Sequence, residues 1–189
     1  MRIGLTYDLR SWYLERGYTM DETAEFDKEE TVVALESELV RLGYETIRIG
    51  NIFQLVEKLA AGERWDMVFN IAEGLYGDGR ESVVPALLDQ YRIPYVFSGP
   101  VVMGVSLNKY LTRLVVEAAG VPVCPGIIAS SVHDLDDLSS LEFPLFVKPV
   151  AEGTGKGITT RSVVRDSESL VTLVAELLRS EERRVGKEC

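Results

Sequence analysis

The chain has one histidine, His133, and two cysteines, Cys124 and Cys189. A single imidazole excludes a His-rich metal centre. Two thiols are too few for a disulfide framework or a Cys-based zinc cluster. Basic residues are outnumbered 20 to 30, giving a net charge of −10. Binding to nucleic acid or an anionic membrane surface needs the opposite balance, because phosphates must be neutralised by cations. No apolar run approaches the roughly 18 residues that mark a membrane-spanning helix. The opening MRIGLTYDLR lacks the charged start and long apolar stretch of a signal peptide. These absences predict a cytoplasmic, acidic protein with neither nucleic acid nor membrane as a partner.

What is present is a globular composition: 189 residues, 46% hydrophobic and 26% charged. That is room for one large domain or two small ones, each with a buried core. The first half alternates strand and helix signals. Arg2–Tyr7 is a short apolar run ending at Asp8, and a polar loop follows to about Asp27. Glu30–Leu42 places Val32, Val33, Leu35, Leu39 and Val40 at helical spacing, and Gly43 closes it. Tyr44–Ile49 alternates like a strand, and Ile52–Ala61 is helical up to Gly62. Asp66–Ile71 reads as a buried strand, Glu73–Glu81 as a Gly-rich loop, Ser82–Tyr91 as a helix and Pro94–Phe97 as a strand. Alternating β and α elements of these lengths predict a Rossmann-like parallel sheet covered by helices. Ligands of such sheets sit beyond the carboxyl ends of the strands, which points to the loops after Tyr7 and Ile71.

After about Gly99 the pattern changes. Leu107–Ala119 reads as a helix ending at Gly120. Short extended segments follow at Pro122–Ile128, Pro144–Lys148 and Gly157–Val164. A helix then runs from Asp166, its N-cap, to about Leu178. The expected organisation is a first domain over residues 1–98 and an α+β domain from 99 to 178. Residues 179–189 (RSEERRVGKEC) resemble one translated frame of a common sequencing adapter and are set apart as a foreign tail on a truncated chain.

Three stretches carry chemistry. In Phe143–Ile158, an apolar strand ends at Lys148-Pro149, and Glu152-Gly153-Thr154-Gly155-Lys156-Gly157 then forms a tight loop. A Walker A loop would need a glycine where Val150 stands, a Ser or Thr where Gly157 stands, and a helix afterwards. The β-branched Ile158-Thr159-Thr160 predicts a strand instead. The remaining reading is a glycine hairpin whose bare backbone N–H groups can approach phosphate oxygens, with Lys148 beside them. The second stretch puts Lys109 at the start of a helix, where it can bridge the helix N-terminus to a bound anion. The third, Phe69–Glu81, sets Glu73, Asp78 and Glu81 in a Gly-rich loop, with Arg80 suited to a substrate carboxylate. A kinase-like glycine hairpin fits less well, because there the lysine strand follows the loop and here Lys148 precedes it.

In this order and spacing, residues 66–158 resemble the D-alanine–D-alanine ligases of the ATP-grasp superfamily. The matching stretches are VFNIAEGLYGDGRESVVPALLDQYRIPYVFSG, LNKYLTRLVVEAAGVPVCP and FPLFVKPVAEGTGKGI. The resemblance implies an α/β fold: a Rossmann-like parallel-sheet domain followed by a partial α+β ATP-grasp domain. It implies an ATP-dependent carboxylate–amine ligase that works through an acyl phosphate, of the kind used in peptidoglycan precursor synthesis. It assigns nucleotide phosphates to Lys109, Lys148, Glu152, Gly153, Gly155, Lys156 and Gly157, and substrate positioning to Thr154. Glu73 and Arg80 fall on the amino-acid or carboxylate side of the site. Mg2+ accompanies ATP in the family, with ligands downstream of this chain, and a homodimeric parent stays open.

The chain departs from the family at Glu73, where a histidine is usual, and at Gly77-Asp78-Gly79-Arg80, where Gly-Glu-Asp-Gly is usual. Three acids, Glu25, Asp27 and Glu30, compete for the place of the N-terminal substrate glutamate. ATP use therefore follows more directly from the resemblance than D-alanine does. The other reading is a non-catalytic α/β module binding a small molecule through the loops after Tyr7 and Ile71.

Overall fold

The structure, a computed structural model, describes residues 1–185, so the last four residues of the adapter-like tail lie outside the described residues. The chain divides into two compact units, Met1–Leu107 and the part that begins at Asn108.

The first unit is built on a parallel sheet of three strands, β1 (Arg2–Tyr7), β2 (Glu45–Gly50) and β3 (Met67–Ile71), in the order β2-β1-β3. β1 is central, with a strand on each edge and apolar clusters packed on both faces of the sheet, and five of its six residues are buried. Helices α2 (Glu29–Arg41), α3 (Ile52–Ala60) and α4 (Val83–Gln90) form where apolar periodicity predicts them. One face of the sheet packs Ile49, Leu55, Leu59, Trp65, Val68, Val84 and Leu88 together. The other packs Leu5 and Tyr7 against Val32 of α2. A capping box starts α3: Asn51 Oδ1 accepts from the N–H of Gln54, and Gln54 Oε1 accepts from the N–H of Asn51.

Two expectations for this unit are corrected. The polar loop after Tyr7 holds a short helix, α1 (Arg10–Leu14), around the buried Tyr13. Aromatic packing stabilises it: Tyr13 meets Trp12, Tyr18 and Phe26 at 4.8, 5.4 and 4.5 Å between ring centroids. Pro94–Phe97 is not a strand. It makes one isolated bridge, Tyr95 to Val68, and Phe97 at φ 77° then turns the backbone out of the extended region. The expected helix 107–119 is found as α6 (Lys109–Ala118), and an unexpected helix, α5 (Pro100–Leu107), ends just before its cap Asn108.

The second unit contains α6, a two-stranded antiparallel sheet of β4 (Leu145–Phe146) and β5 (Val163–Val164), and α7 (Ser167–Val185). Its core gathers Leu135, Val164, Leu170, Leu173 and Val174. Asp166 caps α7 by accepting from the N–H of Ser169 at 2.8 Å, and the helix continues past the expected Leu178 to Val185. Pro122–Ile128 forms no strand. The chain does not leave the glycine loop as a strand either. Residues 160–162 make a 3-10 turn capped by Thr159 Oγ1, which accepts from the N–H of Arg161, and β5 starts only afterwards. A Thr side chain that bonds the local backbone offers an alternative to the sheet ladder, which overrides its β propensity here.

Candidate active site

In the first unit the carboxyl ends of β1 and β3 lie side by side, with Tyr7 opposite Ile71. Asp8 follows β1, is 1% exposed, and receives three hydrogen bonds. The Tyr13 hydroxyl donates to Oδ1 at 2.5 Å. The consecutive N–H groups of Glu73 and Gly74 donate to Oδ2 at 2.9 and 2.8 Å. Gly74 has φ +73°, and a Cβ there would lie 2.8 Å from the carbonyl oxygen of Arg80, so only glycine fits.

Segment 19–27, between α1 and α2, is tied down by Arg10. Its guanidinium donates to the carbonyls of Thr23, Ala24 and Phe26. This brings Glu25 to Arg80, where Nη2 meets Oε2 at 3.0 Å with side chains 9% (Arg80) and 4% (Glu25) exposed. Glu73 stands in the same field. Burial, with Glu81 and Glu25 nearby, pushes its carboxyl up to about 7, against the opposing pull of Arg80. Burial also raises Asp27, helped by Asp8 and opposed by Arg10. Glu30 lies exposed on α2. A cavity of about 110 Å³ opens at these strand ends, with Asp8, Tyr13, Gly74, Arg80 and the apolar Phe53 and Val83 in its wall.

In the second unit Lys109 is the first residue of α6. Asn108 caps that helix, its Oδ1 accepting from the N–H groups of Tyr110 and Leu111 at 3.1 and 3.0 Å. The Lys109 N–H donates to the carbonyl of Val150 at 2.9 Å, and its Nζ donates to the carbonyl of Glu152. Helix start and glycine loop are thus joined, although 43 residues separate Lys109 from Glu152. Within the loop, Lys156 Nζ pairs with Glu152 Oε2 at 3.3 Å. Turn bonds run from the N–H of Lys156 to Gly153 O and from the N–H of Ile158 to Gly155 O. Thr154, Gly155 and Gly157 all have positive φ, at 49°, 75° and 74°. A β-branched residue in that region is strained, and such strain persists where surrounding structure demands it. The expected strand 144–148 is shorter, Leu145–Phe146, so Lys148 is exposed two residues beyond the end of β4.

Lys109 and the 152–157 loop therefore come together in one unit, and Glu73 and Arg80 come together in the other. Sequence reasoning missed Asp8, Tyr13 and the choice of Glu25 as the partner of Arg80. The available signal for Asp8 was its place directly after a buried parallel strand. Among the described residues no group of three or more His, Cys, Asp or Glu side chains forms a metal site. Nor is any helix among them long and apolar enough to cross a membrane.

No family model matches the chain. The D-alanine–D-alanine ligase of Actinobacillus pleuropneumoniae serotype 5b is 32% identical over 149 residues, 77% of this chain and 47% of that protein. The enzyme of the same name from Glaesserella parasuis is 32% identical over 144 residues, 75% of this chain and 46% of that one. Among solved structures, the Bacillus anthracis D-alanine–D-alanine ligase complexed with ATP matches with a TM-score of 0.63. It is 19% identical and covers 95% of this chain and 55% of its own. The Helicobacter pylori ligase matches at 0.60, covering 95% of this chain and 63% of its own at 18% identity. These structural likenesses establish the fold, which is ATP-grasp. The chain belongs to the D-alanine–D-alanine ligase family and spans about half the length of the curated relatives it matches.

Proposed function

We propose that this chain supplies the substrate-side unit and the phosphate-gripping loop of an ATP-dependent carboxylate–amine ligase. The observation that carries the reading is the junction of Lys109 with the glycine loop, through Val150 and Glu152. The loop's composition fits a polyphosphate. It has three positive-φ positions, open space where a Cβ of Gly155 would stand, and lysines at 109, 148 and 156. Lys109 and Lys156 now hold a carbonyl and a carboxylate of Glu152, and those contacts would be exchanged for phosphate oxygens.

ATP, when bound, supplies a phosphoryl group that converts an unreactive carboxylate into an acyl phosphate; an amine then displaces phosphate. Lys109, Lys148 and Lys156 offset phosphate charge, and the loop backbone of residues 152–157 shields the reacting centre from water. Thr154, at the exposed tip, positions substrate. In the first unit Arg80 suits a carboxylate, and Glu25 and Glu73 suit an ammonium group, so the ligand class is an amino acid. D-alanine is the specific substrate the relatives' names suggest, and peptidoglycan precursor synthesis is the role the family resemblance implies. Mg2+ belongs to that form, and among the described residues no group of three or more His, Cys, Asp or Glu side chains could hold it.

Hydrogen exchange on the full chain tests the reading. ATP or ADP is expected to slow exchange at residues 152–157, and Lys109→Ala or Lys148→Ala to abolish that protection. Protection unchanged in both variants would refute the lysine roles. Amino-acid binding at the first unit with no nucleotide effect on the loop would favour the non-catalytic module.

A further inference from the structure

We infer that Asp8 and Tyr13 form a positioning device that fixes the backbone of Glu73 at the substrate-side acid cluster. The inference rests on Glu73 facing substrate, as proposed above. Asp8 is an interior carboxyl group, and burying one without partners is costly. Its partners are the Tyr13 hydroxyl and two consecutive backbone N–H groups, those of Glu73 and Gly74. Two N–H bonds to one oxygen hold the Glu73–Gly74 peptide on one side. The close approach of Gly74 to the Arg80 backbone holds it on the other. The Cα of Glu73 is thereby set, and its carboxyl shares the field of Glu25, Asp27, Glu81 and Arg80.

Tyr13 is itself immobilised by aromatic neighbours. Burial, with Asp8 beside it, keeps its phenol protonated and donating. Through these bonds the end of β1 is joined to the backbone of Glu73, the residue that stands where the family has histidine.

The test uses the full chain and follows two signals by NMR: amide exchange at Glu73 and Gly74, and the titration midpoint of the Glu73 carboxyl. Asp8→Ala is expected to speed exchange of both amides about tenfold or more, because hydrogen bonds to a carboxyl acceptor are lost. It should also bring the Glu73 midpoint down toward the ordinary carboxylate range as the loop opens to water. Asp8→Asn retains an acceptor oxygen and should restore most of both signals. Tyr13→Phe, which removes one hydroxyl, should move them in the same direction by less and covers the case in which Asp8→Ala does not fold. An unchanged Glu73 midpoint and unchanged amide exchange in the folded variants would overturn the inference. If the signals move as expected but Glu73→Gln leaves amino-acid binding unaltered, the positioning stands and the substrate reading falls.

Discussion

The backbone N–H of Lys109 donates to the carbonyl of Val150 at 2.9 Å, so the first turn of α6 sits against the chain just beyond Lys148-Pro149. A helix N-terminus carries partial positive charge, and a lysine there adds to it. The bond to Val150 brings the start of the glycine loop to this positive helix end, an arrangement that favours an anion there.

That junction depends on the cap at Asn108. Asn108→Ala removes the acceptor for two helix N–H groups and should cost about 1 kcal/mol of stability by urea denaturation. It should also weaken nucleotide protection of the glycine loop, because Lys109 begins the frayed turn. Equal nucleotide protection in the variant would separate the cap from the site.

The buried pair Glu25–Arg80 gives a second expectation. Arg80→Ala leaves an interior carboxylate without its partner and should destabilise by roughly 3–5 kcal/mol. The double variant Arg80→Met with Glu25→Gln should recover part of that loss. Thermal denaturation of the three proteins measures it. A single variant as stable as the double would show that the pair is not coupled.

Glu73 should make stability depend on pH. Its folded value, about 7, lies above the ordinary 4.5, so the folded state holds the proton more tightly. The resulting stabilisation is complete below the ordinary value and is lost as pH rises through about 7. Asp27, also raised, acts in the same direction. Glu73→Gln should flatten the decline across that window and raise relative stability above it. An identical pH slope in urea midpoints for the two proteins would contradict the placement of Glu73.

Two glycines of the loop should respond differently. Both have positive φ, but a Cβ at Gly155 meets open space, whereas one at Gly157 would lie 2.6 Å from Pro149 Cγ. Gly155→Ala should cost about 1 kcal/mol, the penalty of a left-handed backbone for an L-residue. Gly157→Ala should cost more and disturb the turn after Lys148. Comparable losses in the two variants would mean that the approach of residue 157 to Pro149 is not maintained.

Much of the first unit was readable from apolar period and glycine stops. β1, α2, β2, α3, β3 and α4 appear within a residue or so of expectation, because each buries one periodic face. The signals that failed share a cause. Tyr13 drives a five-residue helix that is too short for periodicity to register. α5 (Pro100–Leu107) is apolar nearly all round, so no helical period marks it. Thr159, β-branched, caps a turn instead of extending a strand.

By itself the sequence determined the parallel α/β order, the acidic surface and the lysine and glycine content of one loop. These follow from local pattern and composition, which need no partner in space. Only the tertiary structure decided that Glu25, not Asp27 or Glu30, meets Arg80, and that Asp8 and Tyr13 hold Glu73. Those pairings join residues 5 to 65 positions apart through the ends of neighbouring strands, and sequence spacing carries no record of which strands become neighbours.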